Sequence, residues 1–94
     1  MKTFAVTYAY APETLDTRDE VRATHRAWLQ DLADAGTVLS AGKYADNTGA
    51  LLIFVTADED ELRALLAEDP YAKAGCVADV SVKEWTPAIG AFAG

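Results

Sequence analysis

The sequence predicts an α+β fold in which four strands form one antiparallel sheet and two helices cover one of its faces. Three observations predict it. Residues 3–10, TFAVTYAY, alternate large and small side chains with a period of two, the pattern of a strand. Residues 17–36, TRDEVRATHRAWLQDLADAG, place Val21, His25, Trp28, Leu29 and Leu32 on one stripe at about 100° per residue, the pattern of an amphipathic helix. Further along, strand-like and helix-like segments complete the order β-α-β-β-α-β.

In the first strand Phe4, Val6, Tyr8 and Tyr10 share a face, and Thr3, Ala5, Thr7 and Ala9 share the other. Residues 11–16 read as a loop broken by Pro12. Thr17-Arg18-Asp19-Glu20 reads as a capping box, with Thr17 accepting from the amide of Glu20 while Glu20 reaches back. The helix then runs to Gly36, a C-terminal cap. Residues 37–44 form a second strand, and the polar stretch 45–49 suits a hairpin turn. Residues 50–56, ALLIFVT, are apolar on both faces, which implies burial on both. The second helix starts at Asp58 as N-cap, extends to about residue 68, and packs through Leu62, Leu65 and Leu66. Asp69-Pro70 ends it, because a residue before proline is pushed out of the helical region. Residues 70–74 form a short helical turn closed by Gly75. Residues 76–85 hold the fourth strand, with Val80 and Val82 on one face and Val77 and Trp85 on the other. In the tail, residues 86–94, Ile89 and Phe92 imply docking. This is the ferredoxin-like order, which puts strands one and three, the most apolar pair, at the centre. Both helices lie on one face, so the apolar outer side of strand three predicts a homodimer packed sheet to sheet.

Residues 1–94 are expected to form a single domain. A net charge of −7 and a pI near 4.4 make nucleic acid a poor partner, since affinity for it comes from Lys and Arg on phosphates. No basic membrane-binding face is evident and no apolar run of about 18 residues occurs. The N-terminus passes straight into a strand pattern without the look of a signal peptide. Cys76 is the only cysteine, which excludes an internal disulfide and fits a reducing cytoplasm. With one His and one Cys no structural zinc site is expected. The acidic residues gather at helix starts rather than at calcium-loop spacing. No cofactor is expected.

The chemistry turns on His25, the only histidine, which falls in the middle of a packing stripe. It is either a packed ring bonded to backbone or a general acid/base, a task that suits an imidazole near neutral pH. Arg22, one turn earlier, is either a solvated side chain or an anion clamp beside the ring. Asp69 is the best carboxylate partner for His25, and equally a good N-cap for the turn opened by Pro70. Ser40-Ala41-Gly42-Lys43 is a small-residue segment within a strand, and its glycine marks a bulge or a close approach by a ligand. A Ser40–His25–Asp69 hydrolase lacks any nucleophile elbow. Cys76 and Trp85 read as packing, and Tyr71 as packing or as part of a pocket wall.

Arg22-x-x-His25, Gly36, Ser40-Ala41-Gly42, Asp69-Pro70-Tyr71-x-x-Ala74-Gly75 and Val80-Ser81-Val82-Lys83-x-Trp85 together resemble the YCII-related (YciI-like) family over nearly the whole chain. The resemblance implies a dimeric α+β barrel and an active site built on a His-Asp pair, here His25 and Asp69. Members commonly carry proline after the Ala-Gly of strand two, where this chain has Lys43, a positive charge suited to an anionic ligand. One branch of the family resembles dehydrochlorinases of chlorinated hydroxyhydroquinones, and muconolactone isomerases are distant structural relatives. By analogy, the expected function is cofactor-free acid–base chemistry, elimination or isomerisation, on a small aromatic or enol-type anion. His25 and Asp69 would be catalytic, and Arg22, Ser40, Gly42, Lys43 and Tyr71 would line the substrate site. The alternative is a non-catalytic dimeric ligand-binding module that uses the same pocket.

Overall fold

The computed structural model describes residues 1–93. Strand β1 (Lys2–Tyr10) leads into helix α1 (Leu15–Asp34), and β2 (Val38–Lys43) and β3 (Gly49–Thr56) form a hairpin. Helix α2 (Glu59–Leu66), the one-turn helix α3 (Pro70–Lys73) and strand β4 (Val77–Glu84) complete the chain. The sheet is antiparallel throughout, in the order β2-β3-β1-β4. The two most apolar strands are therefore central and adjacent, as their composition demands.

The helices pack on the face formed by Phe4, Val6, Tyr8 and Tyr10 of β1 and by Ala50, Leu52 and Phe54 of β3. Leu62 and Leu66 come down on it from α2, and Val21, Trp28, Leu29 and Leu32 from α1. The opposite face carries Leu51 and Ile53. Ile53 is buried, and it lines a shallow depression together with Trp85 and Phe92. The Phe92 ring meets Trp85 edge-on at 6.4 Å, so this part of the tail does dock. Ile89 does not, being 95% exposed, and Gly94 lies outside the described residues.

Three local expectations are corrected. Helix α1 begins at Leu15 rather than Thr17, because Pro12–Thr14 forms a 3-10 turn that feeds directly into it. Thr17 and Glu20 are thus inside the helix and form no capping box; Thr14 is the N-cap, and its hydroxyl donates to the Ala11 carbonyl at 2.6 Å. Helix α2 ends at Leu66, two residues short of the expected end, and Asp69 begins the next turn instead. Val77 packs on the inner face beside Val80 and Val82, since a register shift opposite Ala9 and Tyr10 reverses the alternation there. Of the two glycines of the hairpin strands, Gly42 has no protein neighbour that a Cβ would meet, whereas a Cβ on Gly49 would land 1.9 Å from the carbonyl oxygen of Tyr8. The close approach of backbone to backbone is thus at the start of β3.

The C-terminus of α1 follows the sequence. Gly36 takes φ +82°, and the amides of Gly36 and Thr37 return to the carbonyls of Ala33 and Leu32, a Schellman closure.

Candidate functional site

The site is built around one carboxylate. Asp69 is extended, as the residue before Pro70 must be, and its side chain caps α3 by accepting from the Tyr71 amide at 2.9 Å. That geometry turns the carboxylate into the protein, where it is fully buried. The same Oδ1 lies 2.7 Å from Nδ1 of His25, and Oδ2 accepts from the Tyr8 hydroxyl at 2.8 Å. Capping and pairing with His25, which the sequence offers as alternatives for Asp69, are thus carried by one side chain. Three donors on one carboxylate are what a buried charge requires to be tolerated. Burial first, and then the charge of Asp69, push the Tyr8 phenol far above its ordinary range, so it remains a donor.

His25 reaches this carboxylate from the middle of α1. Its ring lies flat on that of Tyr71, with centroids 3.8 Å apart and planes 9° from parallel. The bond to Asp69 fixes the proton of the neutral ring on Nδ1 and leaves Nε2 as the basic end. Among the described residues nothing bonds to Nε2, and no buried side-chain polar atom lacks a partner. Nε2 is therefore the accessible end of a side chain that is only 9% exposed, and it opens into the cleft that His25 lines.

This cleft holds about 500 Å³ between α1 and the β2–β3 hairpin. Its charge is unlike that of the rest of the chain. Arg18, Arg22, Arg26 and Lys43 all line it, half of the eight basic residues in a protein of net charge −7. Asp19 is the one carboxylate among the residues that line it, and it pairs with Arg22. That bond, more than any other influence, holds the Arg22 guanidinium above its usual pKa. The apolar walls come from Leu15, Leu29 and Leu52.

Of the residues expected at the site, His25 and Asp69 are joined, and Tyr71 is stacked on the ring. Arg22, Gly42 and Lys43 line the cleft. Ser40 does not. It faces Ile53 across the hairpin and lies in the depression on the outer side of the sheet, so no Ser40–His25–Asp69 relay is formed. The sequence reading missed Tyr8, Tyr10, Arg18 and Asn47. Arg18 is 7% exposed, its guanidinium 4.4 Å above the Tyr10 ring. Burial, with Tyr71 and Asp69 adding to it and Arg18 opposing, pushes the Tyr10 phenol up to about 12. Two signals were present. Arg18 stands seven residues before His25, on the same stripe. Tyr8 and Tyr10 bring hydroxyls to an inward face, where a phenol needs a partner.

A family model described as the YCII-related domain matches residues 2–86. Among solved structures, the chain is similar to 5-chloro-2-hydroxyhydroquinone dehydrochlorinase from Burkholderia phenoliruptrix AC1100, in complex with 2,5-dihydroxybenzoquinone. The TM-score is 0.80 at 27% identity, over 89% of this chain and 93% of that one. No curated protein matches the sequence.

Proposed function

The chain belongs to the YCII-related domain family, and on that premise we propose that it is a small-molecule enzyme in which His25 moves a proton on an aromatic or enol-type anion. One observation carries the reading: His25 is oriented by a buried carboxylate at Nδ1 and presents a free Nε2 to a cationic cleft. In the scheme Nε2 takes a proton from a substrate hydroxyl or an acidic carbon. Asp69 holds the ring's tautomer and stabilises the imidazolium that forms, as a carboxylate does for other catalytic histidines. The face of Tyr71 adds cation–π stabilisation to the same charge. In elimination, the electron pair left behind forms a double bond, and the leaving group departs with its own pair. In isomerisation, the imidazolium returns the proton to a different carbon. Arg22 and Lys43 meet the negative charge of the substrate, and Gly42 forms part of the wall.

The similarity to a dehydrochlorinase of a hydroxyhydroquinone favours elimination over isomerisation. We further propose that two copies pair through the outer sheet face, where Leu51 and Trp85 are exposed. A cytoplasmic location accords with the lone, buried Cys76.

The test is turnover of chlorinated hydroxyhydroquinones by the parent protein, His25→Gln and Asp69→Asn. The expected outcome is chloride release by the parent and a loss of at least about a hundredfold in His25→Gln, the usual contribution of a general acid/base. A His25→Gln protein that retains the parent's rate overturns the mechanism. A folded parent that binds such compounds without converting any of them favours a binding module.

A further inference from the structure

We propose that Arg18, Lys43 and Asn47 form a carboxylate subsite at one end of the cleft, so that the substrate is an acid as well as a proton donor. The proposal deepens the acid–base reading of His25 and rests on it only for where the reaction occurs. The subsite itself rests on separate observations.

Arg18 is a buried guanidinium with no carboxylate partner among the described residues. A charge so placed requires compensation. Part of it comes from the Tyr10 ring beneath, from Thr14 Oγ1, which accepts from Nε at 3.3 Å, and from the Asn47 carbonyl, which accepts from Nη1 at 3.2 Å. Nη2 makes no bond within the described residues. Since no buried side-chain polar atom there lacks a partner, Nη2 is accessible, and Arg18 lines the cleft.

Asn47 also takes hold of the second cation. Its backbone is left-handed, at φ 63°, a conformation that asparagine tolerates better than most residues. With its carbonyl on Arg18, its side-chain Oδ1 accepts from Nζ of Lys43. One turn residue thus tethers two like charges that would otherwise repel. The neighbouring acid does not neutralise them, because Asp46 is turned onto the amide and hydroxyl of Thr48. A tethered cation pair with spare N–H donors, open to a cleft, is a receptor for a small oxyanion.

The distance to His25 specifies the rest. Seven residues of helix separate Arg18 from His25, about 10 Å along the axis. Between them the floor is aromatic, His25 stacked on Tyr71 and Tyr71 edge-on to Tyr10 at 5.7 Å, with Arg18 over Tyr10. A planar ring bearing a carboxylate on one side and an ionisable hydroxyl on the other fits this arrangement, with the carboxylate at Arg18 and Lys43 and the hydroxyl at Nε2.

The experiment compares calorimetric binding of 2,5-dihydroxybenzoate and hydroquinone, which share a ring and differ by the carboxylate. The parent protein is expected to prefer the acid by about tenfold or more, and Arg18→Gln and Lys43→Gln to remove most of that preference, read as the ratio of the two affinities within each variant. Asn47→Gly keeps the left-handed turn and its carbonyl but loses Oδ1, and is expected to give a smaller loss of about two- to threefold. It and Lys43→Gln carry the test if Arg18→Gln fails to fold. Equal affinities in the parent overturn the subsite, as does an Arg26→Gln variant that loses as much as Arg18→Gln, since the general field of the cleft would then explain the preference. His25→Gln separates the two readings. The carboxylate preference survives there if the subsite is right, whatever happens to turnover.

Discussion

The two faces of the sheet depart from the inside-out rule in opposite directions. Its inner, helix-covered face holds phenols on β1 and, above them, a fully buried aspartate and a histidine, where apolar side chains would pack at no electrostatic cost. The outer face exposes Leu51 and Trp85, 42% and 39% accessible, where polar side chains would be solvated. On the inner face the polar groups satisfy one another until the network reaches the cleft, where His25 Nε2 and Arg18 Nη2 remain open. That face is complete except where a ligand would enter. Nothing comparable happens on the outer face. Phe92 of the tail meets Trp85 there, and the exposed remainder of Leu51 and Trp85 is apolar surface that a second copy would cover. The contrast sets the proposed site for chemistry apart from the proposed site for assembly, and each can be broken without the other.

The most damaging change to the inner face is Asp69→Ala. It removes the cap of α3 and strands three donors, the Tyr71 amide, His25 Nδ1 and the Tyr8 hydroxyl, in the interior. Breaking such a network should cost about 3–5 kcal/mol, measured by urea unfolding. Asp69→Asn keeps an acceptor for the Tyr71 amide and should cost much less. If the two variants are equally stable, the carboxylate does not organise this face.

A smaller effect, about 1–2 kcal/mol, is expected for Tyr8→Phe, which removes one donor from the buried carboxylate. It also sharpens the comparison through pH. Tyr8 and Tyr10 both hold their protons more tightly folded than unfolded, mainly through burial. Their contribution is therefore fully present below pH 10, near the ordinary tyrosine pKa, and is lost as pH rises through the folded values, about 12 for Tyr10. Stability should fall steeply above pH 10, and less steeply in Tyr8→Phe. An unchanged alkaline slope would mean that Tyr8 titrates alike in both states.

The sequence was most legible where one periodicity has one meaning. Alternation in β1 and the helical stripe around His25 specify the layers, and Asp69-Pro70 specifies a turn with a carboxylate at its head. It was least legible where a residue's role depends on a distant partner. Ser40 looked like part of a small-residue wall, but its face is set by the pairing of β2 with β3 after the register shift between Val38 and Ser40. Arg18 stood inside an apparent capping box that gave roles to Thr17 and Glu20 alone. The helix in fact starts at Leu15, and Arg18 is covered by groups distant in sequence, the Tyr10 ring and the Asn47 carbonyl. Asn47 read as turn chemistry, and only the folded hairpin brings it to both Arg18 and Lys43.

The smallest effect on the chain itself belongs to the outer face. Leu51 sits on a central strand opposite Thr7 and Gly42, directed away from the helices. A lysine there meets no inner-face packing and should change the unfolding free energy of a single chain by no more than about 0.5 kcal/mol. Its effect on assembly should be decisive, because two such faces packed together would bury both ammonium groups without partners. The parent protein is expected to sediment as a dimer and to show a Tm that rises with concentration, as mass action requires. Leu51→Lys should sediment as a monomer with a concentration-independent Tm, while its His25 ring keeps the tautomer read from its ¹⁵N resonances in the parent. A parent that is monomeric at all concentrations would remove the assembly reading and leave the inner face untouched. A variant that loses the His25 tautomer along with the dimer would show that the two faces are coupled.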